Sequence, residues 1–128
     1  MKKITLLFFI IFTFLFSNTS WAEWTYVVET ESGWKMNYDK NRIKKSGKFL
    51  HVWELTNYIK PFNGDLSHIA YLELDCSILR YKVLKFQSYD KSMGEGNIGH
   101  DVTPIDSWRY PQPNSGSEIM YNKICEEH

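Results

Sequence analysis

The chain has 128 residues, with 15 lysines and arginines against 15 aspartates and glutamates, so its formal net charge is zero. So even a balance excludes generic polyanion binding as the organising principle of the molecule, and the length fits one domain with a modest core. Two cysteines allow a single internal disulfide, and an aromatic content of 16% points to a core rich in rings.

Lys2 and Lys3 open the chain, and an apolar run from Ile4 to Phe16 follows, interrupted only by two threonines. Ser20-Trp21-Ala22 then places small residues at the two positions a signal peptidase reads. The run of 13 residues is shorter than the roughly 20 that a bilayer-spanning helix needs. A cleaved leader over residues 1–22 and a mature domain over 23–128 are therefore expected. Loss of 22 residues, with Lys2 and Lys3 among them, leaves 106 residues carrying 13 basic and 15 acidic side chains. No cysteine stands at the cleavage site, so the exported protein is expected in the periplasm, or secreted to the cell surface, without a lipid anchor.

Trp24, Tyr26 and Val28 alternate with Thr25, Val27 and Glu29, the period of a first strand, and Glu31-Ser32-Gly33 supplies a turn into a second strand marked by Trp34, Met36 and Tyr38. Asp39 to Gly47 changes character, with four cations around Ile43, and reads as a connecting loop or short helical turn. Lys48 to Tyr58 carries Leu50 and Val52 on one side and Phe49, His51, Trp53 and Leu55 on the other. With both faces apolar, it reads as a central strand.

Pro61 and Asn63-Gly64 break that run with turn chemistry. Ser67 to Cys76 resumes as a half-buried strand with Leu72, Leu74 and Cys76 on one side, and Leu79 to Tyr89 pairs back on it across Ser77 and Ile78. Alternating carboxylates such as Glu54, Glu73 and Asp75 read as outer-face residues. Asp90 to Asp106, with Gly94, Gly96, Gly99 and Pro104, is expected to be a long loop, and Trp108 and Tyr110 form a last short extended piece.

Ser115 and Glu118 have capping-box spacing, so a helix should start there. Met120 and Ile124, like Tyr121 and Cys125, stand four apart and form one apolar stripe. That stripe must face the sheet carrying Cys76. In an oxidising compartment the two cysteines read as a disulfide; the alternative, a reactive or metal-binding pair, has neither a CxxC spacing nor an adjacent histidine. A bridge across 49 residues would pin a terminal helix that is marginal alone in water.

Chemistry-bearing patterns are few. Gly94 to Gly99 matches G-x-G-x-x-G, but the phosphate chemistry of that motif needs a helix directly after the glycines, and Pro104 would stand inside it. His51, His68, His100 and His128 show no zinc spacing. His51 reads as a hydrogen-bonded strand residue and His100-Asp101 as an ordinary loop pair. No serine stands in a nucleophile elbow. Lys40, Arg42, Lys44, Lys45 and Lys48 concentrate five cations in nine residues, either as a solvated loop or as a docking patch for an acidic or sulfated partner.

In chain order, Trp24, Tyr38-Asp39, Ile43, Val52-Trp53-Glu54-Leu55 with Tyr58, Leu74-Asp75-Cys76, Arg80-Tyr81, Met93-Gly94-Glu95-Gly96, Trp108, Pro113-Asn114-Ser115 and Cys125 resemble the bacterial surface-adhesin protein E family over nearly the whole mature chain. The resemblance implies an α+β fold, a small antiparallel sheet of about six strands with a C-terminal helix tethered to it by a disulfide. It also implies a non-enzymatic binding domain whose partners are proteins, host extracellular-matrix proteins such as laminin and vitronectin among them. The alternative is a periplasmic protein that binds or inhibits a partner in the bacterial envelope. No cofactor, nucleic acid or membrane span after leader removal is expected, and a homodimer stays open.

Overall fold

The computed structural model describes residues 22–102 and 104–128; apart from Ala22, the expected leader lies outside the described residues. Eight strands form one antiparallel sheet: β1 (Trp24–Glu29), β2 (Lys35–Asp39), β3 (Lys44–Ser46), β4 (Phe49–Phe62), β5 (Asp65–Asp75), β6 (Arg80–Tyr89), β7 (Ile98–Val102) and β8 (Ile105–Arg109), followed by helix α1 (Gly116–Glu127). The main path runs β1-β2-β4-β5-β6-β7, with β3 paired to β4 and β8 to β6. A six-strand path with two short additions is thus the form the expected sheet takes.

The β4–β5 hairpin is the spine, in register from Phe49↔Asp75 to Asn57↔Ser67. Its turn is set by Asn63 and Gly64, with φ of 52° and 84°, the paired positive values that Asn-Gly supplies at low cost. Pro61 is tolerated because the ladder is irregular between Asn57 and Phe62, where a missing N–H breaks no regular pair.

Two segments hold strands that the sequence expectation lacks. Asp39–Gly47 opens with the expected short helical turn, a 3-10 turn over Lys40–Arg42, and continues as β3. Within the expected loop Asp90–Asp106 lies β7, which pairs with β6 through Phe86↔Val102, Gln87↔Asp101 and Ser88↔His100. All residues of β3 and β7 are exposed. Hydrophobic alternation reports burial, and an edge strand held by its backbone ladder and polar side-chain bonds has none to report. Gly99 belongs in β7 because the Asp65 carboxylate packs on it: a Cβ there would lie 2.0 Å from Oδ1.

Helix α1 covers one face of the sheet. Met120, Tyr121 and Ile124 pack on Met36, Tyr38, Leu50, Val52, Ala70, Leu72 and Leu74, the even positions of β4 with their cross-strand neighbours. The helix begins as its spacing predicts: the Ser115 hydroxyl accepts from Glu118 N at 3.2 Å, satisfying one orphan N–H. The Glu118 carboxylate accepts from Asn114 N at 3.1 Å, one residue earlier than a standard capping box. At the far end Cys76 and Cys125 form the disulfide, with Cα atoms 5.6 Å apart. Beside it the Tyr38 hydroxyl donates to Glu127 at 3.1 Å. Burial, with Glu127 adding to it, pushes the Tyr38 hydroxyl pKa up to about 12.

The even positions of β4 also carry Glu54, in line with Leu50 and Val52. It is therefore not an outer-face residue: it is 6% exposed and lies under the helix, where Tyr121 donates to it at 3.4 Å. Asp75 does stand in outer-face register but is buried as well, for a reason that belongs to the surface it helps to build.

Candidate partner-binding surface

The face opposite the helix is assembled from three cross-strand rows. Phe49, Asp75 and Arg80 form the first, His51, Glu73 and Lys82 the second, and Trp53, Tyr71 and Lys85 the third. Strand parity brings every second residue to this side, and the register of β4, β5 and β6 lines the rows up. Strand β8 adds Trp108, whose ring lies 5.2 Å from Phe49.

Rings and cations interleave across these rows. Trp53 stacks on Tyr71 at 4.4 Å, and His51 lies 5.7 Å from the same tyrosine. The Arg80 guanidinium stands 4.2 Å from the Trp108 ring and Lys82 Nζ 4.7 Å from it, both within cation–π range. His51 Nε2 is 2.9 Å from Glu73, so His51 is the hydrogen-bonded strand residue that its position suggests. Phe49, Trp53, Tyr71 and Trp108 remain partly accessible.

Asp75 fixes the geometry of the first row. It receives Ser77 N at 3.0 Å and Ser77 Oγ, and Arg80 Nε donates to it at 3.0 Å, which holds the guanidinium near Trp108. The Ser77 hydrogen bond, against burial and with help from Arg80, holds the Asp75 carboxyl below the usual range. A folded-state pKa below the unfolded value gives stability that is complete above about 3.9 and fades as the pH falls. The expected result for Asp75→Asn is a lower stability at pH 7 and a shallower loss between neutral pH and about 3, read by urea titrations across that range. Equal pH slopes for both proteins would contradict it.

The surface is bounded at its other end by the turn over Ser92–Gly94. Ser67 Oγ donates to Lys91 O at 2.6 Å and accepts from Gly94 N at 2.9 Å, and Met93 N donates to Asn57 at 2.7 Å. Gly94, with φ of 68°, lies so close to the sheet that a Cβ would meet Ile69 Cδ1 at 2.4 Å. The G-x-G-x-x-G letters therefore encode a loop pressed on the sheet, and strand β7 follows them, not a helix.

The five cations of the basic cluster separate. Arg42 bonds Asp39 at 2.6 Å with its guanidinium 5.5 Å from Trp53, and Lys44 is in register with His51; both border the aromatic rows. Lys48 Nζ lies 5.4 Å from the Phe49 ring. Lys45 is in register with Leu50 instead and lines, with Lys48, Cys76, Cys125 and His128, a cleft of about 250 Å³ beside the disulfide. Lys40 is exposed on the 3-10 turn. Phe49, Trp53, Tyr71, Arg80, Lys82, Lys85 and Trp108 are members that sequence reasoning did not assign to a binding surface. The apolar odd positions of β4 were a signal for Phe49 and Trp53, but the others depend on register.

His100 pairs with Asp65 at 2.6 Å, not with Asp101, whose partner is Gln87. Ser88 Oγ donates to Asp65 at 2.6 Å and lies 3.2 Å from His100 Nδ1. A hydrolytic triad sets serine and carboxylate on opposite ring nitrogens, whereas both face Nδ1 here. The trio ties β5, β6 and β7 together, and the Ser88 and His100 hydrogen bonds hold the Asp65 carboxyl below its ordinary range. Among the described residues no group of three or more His, Cys, Asp or Glu side chains converges as a metal site, and no helix is long and apolar enough to cross a membrane.

Comparison with curated protein sequences finds no match. Among solved structures the chain is similar to Haemophilus influenzae protein E, at TM-score 0.61 and 15% identity over 85% of this chain and 88% of that one. A second crystal form of the same protein gives 0.63 and 15% over 85% and 91%, and protein E from a non-typeable strain gives 0.56 and 14% over 86% and 79%. At such identity the likeness establishes the fold. A profile of the surface-adhesin protein E family matches residues 24–126, nearly all of the described structure, and the chain therefore belongs to that family.

Proposed function

We propose that this protein is an exported, non-enzymatic binding domain that docks a protein partner on the sheet face opposite helix α1, with host extracellular-matrix proteins as the partner class. The observation that supports it is the contiguous set of Trp53, Tyr71, Phe49 and Trp108 interleaved with Arg42, Arg80 and Lys82. Tryptophan, tyrosine and arginine are the residue types that dominate binding energy at protein interfaces. Cations set among the rings favour an acidic or sulfated segment and raise its association rate. Family membership supports adhesion, and the apolar run Ile4 to Phe16 with small residues at Ser20 and Ala22 supports export.

The test is capture by the purified, disulfide-bonded mature chain, offered laminin, vitronectin and an extract of the producing cell's envelope in parallel. Saturable, salt-sensitive retention of a matrix protein is expected. Trp53→Ala with Trp108→Ala should weaken it at least tenfold, the loss of a modest hot spot. Lys44→Glu, at the border of the aromatic rows, should weaken it about threefold at low salt, through on-rate, as for a rim charge, whereas Lys45→Glu, on the side of the disulfide cleft, should not. Selective retention of an envelope protein, with no matrix binding, would replace this reading by that of a periplasmic partner-binding protein.

A further inference from the structure

Glu54 is a buried carboxylate whose contacts with side-chain donors among the described residues are long. Tyr121 donates to it from 3.4 Å and His68 Nε2 stands 3.7 Å away, whereas charge-assisted bonds to a carboxylate are about 2.7–2.9 Å. Among the described residues no lysine or arginine comes within 4.0 Å of it. A charge so placed is costly unless something pairs with it.

Glu54 lines a cleft of about 310 Å³ between the sheet and the start of α1, near the lower end of the size range of small-molecule sites. Its walls are mostly apolar, with Ala70, Leu72, Val83, Phe86 and Ile105 on the lining, and Tyr81, Ser117 and Tyr121 add hydroxyl groups. Arg109, also on the lining, is exposed to solvent. The cleft thus has an aliphatic and aromatic wall and a negative group at its buried end. It lies on the helix side of the sheet, apart from the partner-binding face.

We infer that this cleft is a binding site for a primary alkylammonium group, whose cation pairs with Glu54 while its methylenes lie along Leu72, Val83, Phe86 and Ile105. The pairing gives the carboxylate a charged donor at close range in addition to the Tyr121 hydroxyl, and burial of the chain adds affinity with each methylene. A free aliphatic amine and a lysine side chain of another protein carry the same chemistry.

The test is isothermal titration of the exported, disulfide-bonded protein with n-hexylammonium, 1-hexanol and hexanoate, and with Nα-acetyl-lysine methylamide. Hexylammonium is expected to bind at least tenfold more tightly than hexanol or hexanoate, and affinity across butyl-, pentyl- and hexylammonium to rise roughly fourfold per methylene. Glu54→Gln should abolish the preference for the cation without lowering the melting temperature. Val102→Trp, at an exposed position of the lining, should block entry while the core is untouched. Lysine methylamide binding with the same dependence on Glu54 assigns a protein side chain as the source, and hexylammonium binding alone assigns a free amine. Equal binding of hexylammonium and hexanol by the unmodified protein would overturn the inference, whatever the folding of the Glu54 variant. So would a folded Glu54→Gln protein that keeps the preference.

Discussion

Replacing Cys76 and Cys125 by serine is expected to lower the unfolding free energy by about 4 kcal/mol. The bridge closes a loop of 49 residues, and on the chain-entropy account a loop of that size restricts the unfolded chain by roughly that amount. Domains of this size have net stabilities of about 5–15 kcal/mol, so the midpoint temperature should fall by roughly 15–30 °C. The loss should be largest at the C-terminus. Helix α1 has 12 residues, too few to persist alone in water, and without the bridge its end is held by the Tyr38–Glu127 hydrogen bond and the contacts of Met120, Tyr121 and Ile124. Hydrogen exchange should therefore show amides of α1 opening well before those of β4 and β5. Uniform loss of protection across sheet and helix would mean that the bridge stabilises the fold only as a whole.

Leu72→Ala is expected to cost about 3 kcal/mol, within the range for buried leucines. Leu72 is 1% exposed, sits at the centre of β5 opposite Val52 and Val83, and belongs to the cluster beneath α1. Strands on both sides hold the backbone in place, so the space left by the side chain cannot close. Ile78, at 52% exposed in the turn after β5, offers the contrast: Ile78→Ala should change stability by no more than about 0.5 kcal/mol. Denaturant titrations should move the midpoint for Leu72→Ala and leave the slope unchanged. Equal effects at the two positions would contradict a core centred on the sheet–helix interface.

The features that the sequence determined by itself are those written in neighbouring residues. Period-two alternation marks β1, β2, β4, β5 and β6, Asn63-Gly64 marks the hairpin turn, and Ser115 with Glu118 marks the start of α1. The apolar stripe on α1 and the single pair of cysteines were enough to foresee the covalent tether. The side taken by Glu54 was also legible, since it shares the parity of Leu50 and Val52; the outer-face expectation followed its charge instead, and backbone parity outweighs charge in a strand whose neighbours hold its register.

Only the tertiary structure decided the rest. Strands β3 and β7 exist because β4 and β6 offer them backbone partners, and their exposed side chains carry no periodic signal. The partner-binding face brings Trp53, Tyr71, Arg80 and Trp108 together from four strands, and the five-cation cluster, continuous along the chain, divides between the two sides of the sheet. Local preferences act over a few residues, whereas register and strand order are set by long-range pairing. A surface that spans four strands is therefore specified only when the whole sheet has formed.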